Sequence, residues 1–167
     1  MMNTTRKQLT LFLDSTESSS FEIIRECYNP EQFRIIKCHI TLCREDEIEE
    51  IETIQQNLEG LNLPTFNLKL GEIQRFSKGN GVLIGVADIE NQFENLRRLV
   101  LQNVIAKPRD HKPHITLMHP RNSKCTDSEF AKIQGVNFPT EIKISNVSLI
   151  EQELRNAWKI LREYPLN

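Results

Sequence analysis

Apolar positions along the chain recur with two different periods, and each period predicts a different kind of element. Alternation over Gln8–Asp14 (QLTLFLD) predicts a strand, and Ser15–Ser20 reads as a polar loop. Ser19 stands three residues before Glu22, a capping-box spacing that opens a short helix near Phe21–Cys27. Phe33–Cys43 is rich in isoleucine and other apolar residues and reads as the next strand. Glu45–Glu59 then carries Ile48, Ile51, Ile54 and Leu58 at helical spacing, with Gly60 as the stop. Its seven acidic residues mostly fall on the other face and read as solvated surface.

Phe66–Arg75 and Val82–Asp88 predict strands around the turn Ser77–Lys78–Gly79–Asn80–Gly81. That turn is rich in glycine, but it lacks the GxxxxGK[ST] order and no helical pattern follows it. It therefore reads as a hairpin loop rather than a phosphate cradle. Ile89, Phe93, Leu96, Val100 and Val104 predict an amphipathic helix, and Pro113–Met118 a strand. Thr126 and Glu129 form a second capping box before a short helix. Glu141–Leu154 and Trp158–Tyr164 finish the chain as strands. This mixture predicts an α+β fold, and the absence of a linker predicts one domain over residues 1–167.

Composition narrows the class. With 38% hydrophobic and 26% charged residues, the sequence suits a soluble globular protein rather than a disordered one. The net charge of -2 rules out a general polycation, so any nucleic-acid contact must come from a local basic patch. Apolar runs are too short to span a bilayer, and Met1–Thr10 lacks the apolar core of a signal peptide. A cytoplasmic location with no membrane partner is the expectation. Cys27, Cys38, Cys43 and Cys125 show no CxxC spacing, which predicts reduced thiols.

The informative chemistry is a repeat. Lys37–Cys38–His39–Ile40–Thr41–Leu42 returns 75 residues later as Lys112–Pro113–His114–Ile115–Thr116–Leu117, with five of six positions identical. An offset near half the chain length suggests two related lobes. On a strand, alternate side chains share a face. Lys37, His39, Thr41 and Cys43 would lie on one face and Ile40 and Leu42 on the other, and the second copy repeats that division. Each strand would bury its Ile and Leu while presenting His and Thr to a shared cleft.

Two facing imidazoles titrate near neutrality, so one can accept a proton while the other donates one. Hydrolysis of a cyclic phosphodiester needs those two transfers, to activate water and to protonate the leaving ribose oxygen. Threonine hydroxyls one step along the same face can hydrogen-bond the non-bridging oxygens as charge develops there. The route calls on neither a metal nor a covalent intermediate, and no cofactor is expected.

The twin HxTx motifs resemble the 2H phosphoesterase superfamily, in particular its branch of bacterial 2'-5' RNA ligases and RNA cyclic phosphodiesterases. The resemblance covers nearly the whole chain, including the Phe66–Asp88 hairpin, the helix after it and the strand pair that ends in Tyr164–Pro165–Leu166. It implies a LigT-like bilobal α+β fold with pseudo-twofold symmetry, built from two antiparallel sheets flanked by helices around a central cleft. It also implies hydrolysis of 2',3'-cyclic phosphates to 2'-phosphates, on RNA ends or small nucleotides. Ligation or hydrolysis of 2'-5' linkages is the alternative activity, and a non-catalytic nucleotide or RNA-end binding module is the alternative without chemistry. By the resemblance His39 and His114 are the catalytic pair, the first as acid and the second activating water, while Thr41 and Thr116 bind phosphate. Members of the branch often place a basic residue soon after the second leucine, whereas here Met118–His119–Pro120 intervene before Arg121.

Other residues are expected around that pair. Five basic residues, Lys107, Arg109, Lys112, Arg121 and Lys124, stand against the single acid Asp110 between positions 107 and 124. Positive charge thus gathers around the second motif, as phosphate attraction needs. Arg121 is the candidate phosphate or ribose contact, because its guanidinium can bind two oxygens at once. Lys37 and Lys112 are further candidate contacts. Phe76, near the hairpin tip, could stack a base or pack in its loop. Cys43 is expected to line the cleft as a small apolar wall, not as a nucleophile. His111, His119 and Cys125 fit no common zinc spacing, so no metal is expected. Trp158 reads as core, and a monomer without an obligate protein partner is expected.

Overall fold

The computed structural model describes residues 4–76 and 79–167. Residues 1–3, together with Ser77 and Lys78 of the predicted turn, lie outside the described residues. Eight strands form one continuous sheet among the described residues: β1 (Thr5–Phe12), β2 (His39–Cys43), β3 (Phe66–Arg75), β4 (Val82–Ala87), β5 (His114–Met118), β6 (Glu141–Ile144), β7 (Asn146–Glu153) and β8 (Lys159–Pro165). Their order across the sheet is β6-β3-β4-β5-β2-β1-β7-β8, with every neighbouring pair antiparallel. The fold is α+β, but the two separate sheets that the resemblance implied are one. The two motif strands pair with each other at the middle and join the halves edge to edge.

Among the described residues five α-helices accompany the sheet: α1 (Ser15–Tyr28), α2 (Pro30–Ile35), α3 (Ile51–Glu59), α4 (Gln92–Val100) and α5 (Asp127–Gln134). The predicted polar loop Ser15–Ser20 is the first half of α1. Asp14 caps it, its carboxylate accepting from Thr16 N at 3.0 Å, and Phe21 and Ile24 further along face the core. Phe33 belongs to α2, which Pro30 starts at a position where a missing N–H costs nothing, so the following strand begins only at His39. The predicted helix Glu45–Glu59 is a 3-10 turn over Glu45–Glu47 followed by α3. The Thr126 cap is as its spacing predicts, with Thr126 Oγ1 accepting from Glu129 N at 3.1 Å. Ile89, expected on the buried stripe of α4, lies before the helix and is 70% exposed.

The motif strands share one burial pattern in which the second, fourth and fifth residues are buried. The first three follow simple alternation, so Ile40 and Ile115 enter the core while the His and Thr side chains leave it. Alternation then breaks at a bulge. Leu9 pairs with Cys43 and Thr10 with Thr41, which leaves Leu42 as the extra residue. Val82 pairs with Met118 and Leu83 with Thr116, which leaves Leu117 extra in the same way. Cys43 therefore turns into the core, at 0% exposure, instead of lining a cleft.

The halves are interleaved rather than side by side. Helix α1 packs against β5, and α4 packs against β2, so each motif strand is covered by the helix that precedes the other one. Asn29, at the C-terminal end of α1, accepts from His119 N at 2.8 Å and donates to Asn122 Oδ1 at 2.9 Å just past β5. From α4, Arg97 reaches across to Leu42 O at 2.6 Å. The Arg97 guanidinium also meets the Glu47 carboxylate at 2.9 and 3.2 Å, and both side chains are almost fully buried. Burial pushes the Glu47 carboxyl up, but hydrogen bonds from Arg97 and the Arg44 amide outweigh it and hold it below its ordinary value.

Arg97→Met should strand the Glu47 carboxylate in the core and cost about 3–5 kcal/mol in urea unfolding. Arg97→Met combined with Glu47→Leu should recover much of that loss, because no unpaired charge remains. A single variant as stable as the parent would show that the pair does not brace α4 against β2.

Candidate active site

β2 and β5 pair through Ile40 and Ile115. Continuing that antiparallel register by one residue sets His39 across from Thr116 and Thr41 across from His114. The approximate twofold axis of the sheet thus runs between the two isoleucines. It places each imidazole beside the other strand's hydroxyl.

All four side chains line a cleft of about 520 Å³. Its walls also include Arg6, Gln8, Arg25, Arg44, His111, His119, Arg121, Phe76 and Trp158. The chain has four histidines, and every one of them reaches this cavity. A cleft of that size holds more than a phosphate group and suits a nucleotide.

The two motif imidazoles are held alike. His39 Nδ1 lies 2.7 Å from Lys37 O, and His114 Nδ1 lies 3.1 Å from Lys112 O. A carbonyl oxygen only accepts, so in each ring Nδ1 carries the hydrogen. The neutral ring then has its lone pair on Nε2. Each also has a phenyl ring edge-on at 6.0 Å, Phe12 beside His39 and Phe76 beside His114. Gly81 makes the second contact feasible: a Cβ there would meet Met118 O at 2.5 Å and Phe76 Cδ2 at 2.7 Å.

Lys37 and Lys112 contribute their carbonyls, not their side chains, and neither lines the cleft. Both lie ahead of strands that start at the histidines, so the alternation that put them on the His face does not extend back to them. Arg121 and Phe76 do line the cavity. Trp158 is not core, for it walls the cleft with the Arg6 guanidinium 5.0 Å above its ring.

Several groups that the sequence did not assign to the site hold this arrangement. Gln8 Nε2 donates to Thr41 Oγ1 at 3.2 Å and to Thr10 Oγ1 at 2.8 Å. The Thr41 hydroxyl, accepting from Gln8, keeps its own hydrogen for a further acceptor. His111 Nε2–H donates to Thr41 O at 2.9 Å, with its ring stacked on Phe93. Glu22 accepts from Cys38 N at 2.7 Å and pairs with buried Arg25, which donates to Ile36 O at 2.6 Å. The Glu22 that the sequence offered to a helix cap instead grips the segment leading into His39.

The cavity is basic, and its electrostatics act on the imidazoles. Burial pushes His39 down to about 4, against the pull of the Lys37 carbonyl, with Arg25, His114 and His119 adding to the fall. Burial likewise brings His119 to about 4, helped by Arg121, Arg6 and His114. Arg6 is lowered from its ordinary value by burial and by the nearby Arg121 charge. Such crowding of positive charge disfavours protonated imidazole in the empty cleft and favours an anion there.

Comparison with known proteins agrees with the architecture. The family model described as the 2'-5' RNA ligase superfamily matches residues 13–156. Among solved structures, apo LigT of Escherichia coli superposes with a TM-score of 0.71 at 17% identity, over 98% of each chain. LigT complexed with phosphate gives 0.69 at 19% identity, again over 98% of each chain. The protein TT0787 of Thermus thermophilus gives 0.62 at 17% identity, over 96% of this chain and 97% of that one. Among curated proteins no sequence matches. At such identities the superpositions establish the fold.

The depressed histidines have a consequence for stability. Above pH 6.5 both the folded and unfolded chains leave these rings neutral. Between 6.5 and about 4 the unfolded chain takes up protons that the fold refuses, so stability should fall as the pH drops through that window. Thermal melts between pH 7.5 and 4.5 should show the fall, and His39→Asn or His119→Asn should each make it shallower. Equal slopes in parent and variants would contradict the assignment.

Proposed function

The chain belongs to the 2'-5' RNA ligase superfamily, and we propose that it is a phosphoesterase that opens 2',3'-cyclic phosphates, on RNA ends or small nucleotides, to 2'-phosphates. The observation that carries this reading is the matched pair of imidazoles. Both are fixed with Nδ1–H on a carbonyl, both leave Nε2 for chemistry, and each stands across from a threonine of the other motif.

In the reaction one Nε2 takes a proton from water as its oxygen attacks phosphorus. The other imidazole, protonated, gives its proton to O3' as the P–O3' bond breaks, leaving the phosphate on O2'. Thr41 and Thr116 donate to the non-bridging oxygens, whose charge grows in the transition state. The carbonyls of Lys37 and Lys112 stabilise whichever ring becomes imidazolium, because each accepts from the Nδ1–H that stays in place. The proton inventory is complete within the side chains.

Burial sets the resting state of His39, which is neutral at pH 7 and so able to accept a proton. Serving as the acid requires the negative charge of the substrate to raise it first. LigT has been crystallised with phosphate and with 3'-AMP, ligands of the kind proposed for this cleft.

Purified protein with EDTA should hydrolyse 2',3'-cyclic AMP or a cyclic-phosphate RNA end, with NMR identifying a 2'-phosphate product. His39→Ala and His114→Ala should each lower turnover by roughly 10²- to 10⁴-fold. Undiminished turnover in either variant would sink the mechanism, and tight nucleotide binding without turnover would select a binding module instead. The pH profile of kcat/KM should carry an ionisation well below 6.5, which moves upward in kcat because the bound anion favours imidazolium.

A further inference from the structure

A further imidazole lines the cleft beside the motif pair, and it differs from them in the way it is held. His119 directly follows β5 and lines the same cavity as His39 and His114. Its Nδ1 accepts from Arg121 N–H at 3.1 Å. An amide only donates, so Nδ1 carries the lone pair and, in the neutral ring, Nε2 carries the hydrogen. This is the reverse of the tautomer imposed on His39 and His114. Nε2 of His119 has no hydrogen-bond partner among the described residues.

We propose that His119 is the third imidazole of the phosphate site, its Nε2–H donating to a phosphoryl oxygen held between His39 and His114. The identity of the substrate rests on the phosphoesterase reading, while the contact itself does not. The position is built for such a contact. The backbone N–H of His119 donates to Asn29 Oδ1 at 2.8 Å, and its carbonyl accepts from Ser123 Oγ at 2.6 Å. Asn29, itself buried, also ties down Asn122, so the main chain on which the ring stands is anchored on both sides.

Charge explains why an imidazole serves here. Arg6, Arg25 and Arg121 already line the cavity. Another fixed cation would make it harder for either member of the acid–base pair to hold the proton that it must later deliver. A neutral N–H donor stabilises the developing negative charge on phosphorus oxygens without that cost. Burial, with crowding by Arg121 and Arg6 added to it, keeps His119 neutral, and so keeps the donor on Nε2.

Two substitutions separate this role from a structural one. His119→Asn can keep an acceptor at the Nδ1 position for Arg121 N–H but lacks the donor further out. His119→Gln can place an amide N–H near the Nε2 position but gives up the turn acceptor. Long-range ¹H–¹⁵N NMR at pH 7 should show His119 as the Nε2–H tautomer and the motif histidines as Nδ1–H. Inorganic phosphate and adenosine 2'-monophosphate should shift the His119 Nε2 signal. Affinity for both probes should fall about ten- to a hundredfold in His119→Asn and less in His119→Gln, with thermal melts confirming that each variant folds. A ring that only holds the turn would give the reverse order, and that order, an unmoved Nε2 signal or an Nδ1–H tautomer would overturn the proposal. The probes report binding, so their dependence on His119 survives even if cyclic phosphates prove not to be substrates. Turnover that persists with binding indifferent to His119→Asn would sink this inference alone.

Discussion

Two strands meet at the middle of the sheet through Ile40 and Ile115, and much of the site depends on that pairing. Because it is antiparallel and nearly symmetric, it carries the His and Thr of one strand alongside the Thr and His of the other. Both isoleucines are fully buried, so sliding the register by one residue would turn apolar side chains into the cleft and imidazoles into the core. The matching bulges after Thr41 and Thr116 confine the polar face to two side chains per strand, the His and the Thr. Beyond them Leu42, Cys43, Leu117 and Met118 return to the core, which closes the cleft at both ends of the motifs.

Polar clamps then hold the apolar junction in register. Arg97 and Glu47 fix the strand end after Thr41, while Glu22 and Arg25 fix the approach to His39. Asn29 secures the turn after β5. Each clamp spans elements distant in sequence, and two of them reach from one half of the fold to the other. Buried charge of this kind is costly unless fully paired, and here each guanidinium also satisfies a backbone carbonyl that the irregular strand ends would leave open. Rigidity at those points matters for the proposed mechanism, because proton transfer depends on small distances.

The cleft is asymmetric in its electrostatics although its frame is nearly symmetric. Arg25 stands near His39, and Arg6 with Arg121 stands near His119. Trp158, with Arg6 over its ring, also walls the cleft. A symmetric pair of imidazoles is thus placed in surroundings that treat the two rings differently. That is what acid–base chemistry needs if one ring is to gain a proton while its twin loses one.

Much of this was legible in local pattern. Local pattern placed the strands from Phe66 to Arg75 and from Val82 to Asp88, the second one residue longer than the observed Val82–Ala87, and the spacing of Thr126 and Glu129 placed the cap of α5. The doubled His-Ile-Thr-Leu word carried the chemistry, since side-chain direction on a strand follows from chain order alone. Where local pattern failed, a competing local device or a distant partner decided. Asp14 extended α1 back through a serine-rich stretch, Pro30 made a helix of residues that resembled a strand, and the two bulges moved Cys43 off the cleft face. Lys37 and Lys112 kept their place in the repeat but acted through carbonyls. Gln8 and Arg6 gave no signal, His119 was weighed only as a metal ligand and Trp158 was read as core, because their meaning lies in contacts made across the sheet, such as Arg6 with Trp158 or Gln8 with Thr41. The sequence by itself determined which residues could do the chemistry and which face of each motif strand they occupy. Only the tertiary structure decided that the motif strands adjoin in one sheet, which tautomer each ring adopts and that burial lowers His39 and His119. Those properties come from neighbours brought close in space, and chain order does not encode the distances.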